Sequence, residues 1–177
     1  MPVNTVLVGC GNMGHSMLAG WLAAGKLAPA EVFVVEPNDG LRDRAAALGV
    51  GTATDAAELP DDASPALVIL AVKPQVIREV TAGYARFAHG QTVFLSIAAG
   101  TPMAAFEQIL GADTPIVRCM PNTPAAIGKG MMVVYANDRV SGERHAAISD
   151  LLAASGAVAT IEDEALMDAV TAVSGSG

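Results

Sequence analysis

The sequence has few aromatic residues and few basic ones. Phe, Trp and Tyr make up 4% of its 177 residues, whereas hydrophobic residues make up 52%, so a core must be built from small aliphatic side chains. Lys and Arg number 10 against 18 Asp and Glu, which gives a formal net charge of −8. Because an acidic chain repels polyanions, and no basic stripe carries interleaved aromatics, nucleic acid is not an expected partner.

The sequence also contains no long apolar run, no segment with the features of a signal peptide and no clustered cysteines. A representative apolar run covers only residues 66–72, far short of the roughly 18 that a membrane span needs. The N-terminus lacks the basic start and small-residue cleavage site of a signal peptide. We therefore expect a cytoplasmic protein without membrane contact. Cys10 and Cys119 form no Cys-x-x-Cys or Cys/His motif, so we predict no metal site and no disulfide framework.

Strand-length apolar segments alternate with helical ones, which predicts βαβ units and a mainly parallel sheet. We predict strands at 5–9, 31–36, 66–72, 92–97 and 115–120, with a short one near Val50, and helices at 13–24, 41–48, 74–87 and 102–110. Strands at 130–136 and 157–161, with a helix at 142–154 between them, are expected to extend the same sheet. The prediction is a doubly wound α/β domain over 1–161. We predict an amphipathic helix over 162–177, with acids in its first turn. This segment would be the first part of a longer helix that connects to a further domain and takes part in dimerisation.

A glycine-rich loop, VGCGNMG, follows the first predicted strand and opens the first predicted helix. The Gly-x-Gly-x-x-Gly pattern alone is weak, but Glu36 ends the second strand 22 residues after Gly14, close to the spacing of a ribose-binding acid. In a Rossmann-type site, Gly9 permits the turn, Gly11 admits the pyrophosphate and Gly14 allows close helix–strand packing. The alternative is a strand–helix turn that binds no ligand.

Glu36 bears on the choice between NADH and NADPH. A carboxylate can accept hydrogen bonds from ribose hydroxyls, yet it repels a 2′-phosphate by about 4 kcal/mol at ~4 Å and an effective dielectric of 20. This favours NADH. Arg42 and Arg44, on the next predicted helix, could reach back toward a phosphate, although solvated helix charges are the commoner role of such arginines.

Four further segments occur in a fixed order: AVKPQ at 71–75, SIAAG at 96–100, RCMPNTPA at 118–125 and DAVTAVSGSG at 168–177. With the glycine loop, they make the chain resemble the cofactor-binding domain of 1-pyrroline-5-carboxylate reductases. That family reduces the cyclic imine 1-pyrroline-5-carboxylate to L-proline with hydride from NADPH or NADH, the last step of proline synthesis.

The resemblance implies a role for each matching residue. The pyrophosphate would be held by Gly9, Gly11, Asn12, Met13 and Gly14, and the cofactor would pass along Ala71, Val72, Lys73 and Pro74 toward a nicotinamide end formed by Ala98, Ala99, Met120, Asn122, Thr123 and Pro124. Substrate-pocket candidates are Asn122, Ser174, Gly175 and Ser176. For Lys73 the alternative is an exposed helix charge, and for the two serines a helix cap or kink. No catalytic base is assigned, and His15, His89 and His145 are given no role.

The sequence departs from the family in two respects. Relatives that use NADPH commonly carry a small polar residue where this chain has Glu36. Relatives also continue past SGSG into an all-α domain that supplies dimerisation and much of the substrate site. We therefore expect a truncated chain that binds dinucleotide but turns over poorly, whereas the full-length protein would be a homodimer or larger homo-oligomer.

Two other functions remain open at this point. A β-hydroxyacid dehydrogenase would share the glycine loop but would need a catalytic lysine further on. A non-catalytic dinucleotide-sensing or assembly module would suit the apolar stripe of the last helix.

Overall fold

The computed structural model describes residues 4–174, and all the strands it describes form one sheet. The strands are β1 (Thr5–Val8), β2 (Val32–Val35), β3 (Gly51–Ala53), β4 (Leu67–Leu70), β5 (Val93–Ser96), β6 (Ile116–Pro121), β7 (Gly130–Ala136) and β8 (Gly156–Thr160). Their spatial order is β3-β2-β1-β4-β5-β6-β7-β8. The first six run parallel, β7 is antiparallel to β6, and β8 is parallel to β7. The predicted Rossmann-type sheet with extra C-terminal strands is confirmed.

The helices are α1 (Asn12–Ala23), α2 (Asp39–Ala46), α3 (Ile77–Ala82), α4 (Met103–Leu110), α5 (Gly142–Ala153) and α6 (Leu166–Ser174). The predicted helix at 74–87 is wrong in extent. A turn precedes it, in which the Val76 N–H donates to the Lys73 carbonyl, and Gly83 caps its C-terminus before a separate 3₁₀ turn at Ala85–Phe87. The last helix begins later than predicted, so the acids at 162–164 precede it instead of lying in its first turn.

Two apolar clusters cover the two faces of the sheet. On one face α1 and α5 pack through Leu18, Trp21 and Leu152 against alternate strand residues. On the other face α3 and α4 pack through side chains that include Phe106. The inner strands are therefore buried on both sides, which explains their continuous apolar runs. Within residues 4–174, no helix is both long enough and apolar enough to cross a bilayer.

The chain reverses its direction of travel across the sheet at β1. Strands β2 and β3 lie on one side of β1, and β4 to β6 lie on the other. In open α/β sheets, ligands bind outside the carboxyl ends of the strands at such a reversal. A ligand site is therefore expected among the segments that follow the carboxyl ends of β1, β2, β4, β5 and β6.

Candidate functional site

The segments predicted to hold a cofactor all follow carboxyl ends at the same edge of the sheet. The backbone ladder continues beyond the strands there: the Gly9 N–H donates to the Val35 carbonyl at 2.8 Å, and the Ala71 N–H donates to the Val8 carbonyl at 2.8 Å. The structure places along this edge Gly9 to Gly14 after β1, Glu36 after β2, Ala71 to Pro74 after β4, Ala98 and Ala99 after β5, and Met120 to Pro124 at the end of β6.

The three glycines of the loop differ in what the fold itself requires. Gly9 has φ +86°, and a Cβ there would lie 2.8 Å from the Ala71 carbonyl oxygen. A Cβ on Gly14 would lie 2.7 Å from the Gly9 carbonyl oxygen. Both glycines are therefore needed for the chain to pack. A Cβ on Gly11 would meet no atom within 4 Å among the described residues, so the fold alone does not require glycine at that position.

The first turn of α1 is open to an anion. Gly11 is its N-cap and supplies no side-chain hydrogen bond, and the first turn contains no acidic residue. The initial N–H groups of a helix have no partner within the helix and carry partial positive charge. A diphosphate close to Gly11 would both pair with these groups and be attracted by their charge.

Glu36 is buried at the end of β2, with 6% of its surface exposed. Its Oε2 accepts from the Cys10 N–H at 2.7 Å, and its Oε1 accepts from the Asn38 N–H at 3.0 Å. Each carboxylate oxygen can accept a further hydrogen bond. The carboxylate thus holds the glycine loop while retaining acceptor capacity for another donor.

Arg42 and Arg44 are not the solvated helix charges that the sequence favoured. Arg42 donates to the carbonyls of Glu36 and Pro37 at 3.0 and 3.3 Å and to the Asp39 carboxylate at 2.5 Å. Arg44 donates from Nη2 to the Cys10 carbonyl at 3.1 Å. The Arg42–Asp39 spacing of three on a helix could have indicated their pairing. No local pattern indicates a contact between positions 10 and 44.

Burial and neighbouring charges shift the pKa values of Cys10, His15 and Cys119. Burial raises the pKa of the Cys10 thiol, the Arg44 charge opposes this, and the Glu36 charge adds to it. Burial and the positive charge of Arg44 lower the pKa of His15, while a hydrogen bond with the Arg44 backbone partly opposes the shift. Burial raises the pKa of Cys119 to about 12. Both cysteines are free and buried, which makes them poor nucleophiles.

Three of the nicotinamide candidates, Asn122, Thr123 and Pro124, line a groove together with the substrate candidate Ser174. Asn122 accepts through Oδ1 from the Met131 N–H at 2.8 Å, so part of its amide fixes the turn after β6. The groove has a volume of about 610 Å³ and is lined by Asn122, Thr123, Pro124, Met131, Val133, Ala169, Val170, Val173 and Ser174. Asn122 and Ser174, 52 positions apart in the chain, are therefore brought to one groove. Gly175 and Ser176 lie outside the described residues.

An ion pair anchors the segment before α6. Arg118 on β6, 5% exposed, pairs with Glu164 at 2.5 Å, and the same carboxylate oxygen accepts from the Met103 N–H at 2.6 Å. No local sequence pattern indicates these contacts, because Glu164 lies 46 positions from Arg118 and 61 positions from Met103 in the chain. No group of three or more His, Cys, Asp or Glu side chains in the described chain could hold a metal ion.

Residues 5–100, more than half of the chain, match the family model described as NADP oxidoreductase coenzyme F420-dependent. The chain is 40% identical over 171 residues to the pyrroline-5-carboxylate reductase of Pseudomonas aeruginosa and 34% identical over 173 residues to that of Escherichia coli K12. Each alignment covers 96% of this chain, and the chain spans 62% of the length of either relative.

Solved structures show the same architecture. A pyrroline-5-carboxylate reductase from Coxiella burnetii aligns with all of this chain and 65% of its own, with a TM-score of 0.90 at 28% identity. Prephenate dehydrogenase from Aquifex aeolicus aligns with a TM-score of 0.77 at 18% identity, which shows a shared fold alone.

Proposed function

Because the chain belongs to the family of NADP oxidoreductases described as coenzyme F420-dependent, and matches pyrroline-5-carboxylate reductases along nearly its whole length, we propose that it is the dinucleotide-binding part of such a reductase. The reaction is reduction of 1-pyrroline-5-carboxylate to L-proline by hydride from NADH or NADPH. The resemblance drawn from the sequence is confirmed. The chain spans less than two thirds of its relatives' length, so activity and substrate are proposed for the whole protein.

The proposal rests on the space next to Gly11, where an added Cβ would contact no described atom, and on the first turn of α1, which has no side-chain cap. The two flanking glycines are explained by packing, whereas glycine at position 11 is explained by a ligand that approaches the backbone. In the proposed site, the pyrophosphate lies against residues 9–14 and the ribose lies near Glu36. The cofactor continues past residues 71–74 to a nicotinamide end at residues 98–99 and 120–124.

The proposed chemistry requires positioning more than acid–base catalysis. The nicotinamide supplies the hydride when the cofactor is bound. An iminium nitrogen already carries its proton and accepts the electron pair, so no catalytic His–Asp pair is needed. The chain's part is to bind the dinucleotide and to orient it, and Asn122 and Ser174 line the groove where the substrate end would begin. Reacting atoms held about 3–3.5 Å apart gain most of the advantage of an intramolecular step.

Substitution of Gly11 by Val tests the site directly. A Cβ there meets no atom within 4 Å among the described residues, but the valine side chain would occupy the place of the pyrophosphate. We expect the variant to fold with a melting temperature slightly below that of the parent, because valine is a poorer N-cap than glycine. It should lose at least about a hundredfold in NADH affinity, roughly 2.7 kcal/mol, measured by calorimetry. Gly142→Val is the control, because a Cβ at Gly142 also meets none of the described atoms within 4 Å. Equal NADH affinity in both variants would contradict the proposal.

We further propose that the protein uses NADH at least as well as NADPH. The Glu36 carboxylate is buried at the ribose end, and the guanidinium of Arg42 is already engaged by two carbonyls and Asp39. A 2′-phosphate would therefore meet a negative charge beside an Arg42 guanidinium that already has three hydrogen-bond acceptors.

Glu36→Gln tests this preference with little change of shape, since the amide oxygen can still accept from one loop N–H. The ratio of the dissociation constants for NADPH and NADH should fall in the variant, because the repulsive charge is gone. Glu36→Ser should shift the ratio in the same direction with weaker binding of both nucleotides, because serine cannot reach both the Cys10 and Asn38 amides. An unchanged ratio in both variants would mean that Glu36 does not select the cofactor.

We also propose that residues 1–161 form the dinucleotide-binding domain and that residues 162–177 begin the connection to a helical domain of a homo-oligomer. Support for this division comes from the sheet, whose last described strand ends at Thr160, and from the anchor at Glu164 just before α6.

A further inference from the structure

Two oppositely charged side chains hold consecutive peptide groups of the glycine loop. Glu36 accepts from the N–H of Cys10 at 2.7 Å, and Arg44 donates to the carbonyl of the same residue at 3.1 Å. The N–H belongs to the Gly9–Cys10 peptide and the carbonyl to the Cys10–Gly11 peptide. Both side chains come from the segment that follows β2, more than 25 positions along the chain.

The hydrogen bond from Arg44 sets the direction of the next loop donor. A trans peptide is planar, so its carbonyl and its N–H point to opposite sides. When Arg44 holds the Cys10 carbonyl toward α2, the N–H of Gly11 must point away from α2. Gly11 is also the N-cap of α1, in an extended conformation with φ −62° and ψ −167°. The orientation of this peptide therefore decides how the loop meets a ligand at the start of the helix.

We propose that Arg44 is a positioning residue for pyrophosphate binding, which acts through the Cys10 carbonyl and not by contact with a 2′-phosphate. This inference rests on the proposed dinucleotide site. Arg44 would therefore affect NADH and NADPH alike, because the two share the pyrophosphate. Its assignment adds an arginine that the glycine-loop pattern does not contain.

The surroundings of Arg44 favour this role over direct phosphate recognition. Its Nε is buried and has no hydrogen-bond partner among residues 4–174, so this part of the guanidinium faces protein instead of solvent. Arg42, by contrast, lies against the carbonyls of Glu36 and Pro37, at the end of β2 where the ribose is proposed. The two arginines of α2 are thus directed to different parts of the site.

Arg44→Met and Arg44→Lys, in the full 177-residue chain, test the proposal by titration with NADH and NADPH. We expect Arg44→Met to weaken both nucleotides equally, by about tenfold, and Arg44→Lys to recover most of the affinity, because an ammonium can still donate to the Cys10 carbonyl. The amide resonance of Gly11 in ¹⁵N-labelled protein provides a local readout. Its shift on addition of NADH should be reduced in Arg44→Met and restored in Arg44→Lys.

Arg139→Gln is the control, because Arg139 pairs with Asp113 beyond β7 and outside the proposed site. A loss confined to NADPH, or no loss for either nucleotide, would overturn the inference. If Arg44→Met fails to fold, full affinity for both nucleotides in Arg44→Gln would overturn it, and an equal loss for both would support it. Failure of the unmodified chain to bind either nucleotide would instead refute the proposed function.

Discussion

Residues 4–121, here called the parallel region, and residues 130–174, the terminal region, are stabilised in different ways. The strands β1, β4 and β5 of the parallel region are buried at every residue. In the terminal region, β7 alternates between buried and more exposed residues, and no residue of β8 is fully buried. The first region can therefore rely on apolar burial from both faces, whereas the second depends more on individual contacts at its ends.

The same contrast separates two kinds of functional candidate. In the parallel region the glycine loop, Glu36 and Arg44 are bonded to one another through backbone groups. In the terminal region Ser174 reaches its groove only because α6 is fixed against the sheet, and α6 is preceded by the Glu164 anchor. The proposed pyrophosphate end is thus built into the fold, while the proposed substrate end depends on how one helix is held.

The largest expected effect comes from removing apolar volume in the centre of the sheet. Leu95 on β5 is 0% exposed, and truncation of such a residue to alanine costs about 2–5 kcal/mol of unfolding free energy. Val158→Ala on the half-buried strand β8 should cost less than about 1.5 kcal/mol, because less apolar surface is lost. Urea denaturation measures both. Equal losses would show that the two regions are not stabilised differently.

In the terminal region, Gly156 is a position at which adding a side chain should be strongly destabilising. Its φ is +147°, and a Cβ would lie 2.0 Å from the Gly130 carbonyl oxygen, where β8 pairs with β7. We expect Gly156→Ala to lower the unfolding free energy by about 3 kcal/mol, because the new Cβ adds both backbone strain and steric repulsion. Gly142→Ala, at an open position, serves as the control. A melting temperature equal to that of the parent would mean that the β7–β8 pairing adapts without cost.

Loss of the Glu164 charge should loosen the terminal region specifically. Glu164→Gln leaves the Arg118 guanidinium buried without its ion partner. We expect the unfolding free energy to fall by about 2 kcal/mol. This is less than the loss for a fully buried pair, because the Glu164 side chain is 28% exposed. Amide exchange at 166–174 should accelerate while exchange in β1 and β4 stays slow. Glu162→Gln makes the same chemical change at an exposed position. Uniform acceleration across the sheet would refute a local anchor.

The smallest expected effect is a pH dependence located in the parallel region. Burial, and then the Arg44 charge, lower the pKa of His15 in the folded protein below its usual 6.5. A group of this kind contributes stability above its unfolded pKa and loses it as the pH falls. His15→Gln should therefore reduce the fall in melting temperature between about pH 7.5 and pH 5.5. A fall in the His15→Gln variant equal to that of the parent would exclude a role for His15.

Local sequence determined the strands, most helices and the glycine loop. Apolar runs of strand length, helical segments and glycine spacing involve only a few neighbouring residues, so they can be recognised without knowledge of the fold. The prediction for 130–136 matches β7 residue for residue. The predicted helix at 74–87 is wrong in extent because the turn at Lys73 and the cap at Gly83 interrupt it.

Only the tertiary structure decided the strand order, the reversal of β7 and the contacts of the charged residues. Arg44 meets Cys10 across 34 positions, and Glu164 meets Arg118 across 46. Neither pairing leaves a local pattern, because a long side chain finds its partner only after the sheet has brought distant segments together. The sequence by itself predicted where a dinucleotide could lie, and the packing of the segments that contain α2 and α6 decided which charged groups lie at the two ends of the proposed site.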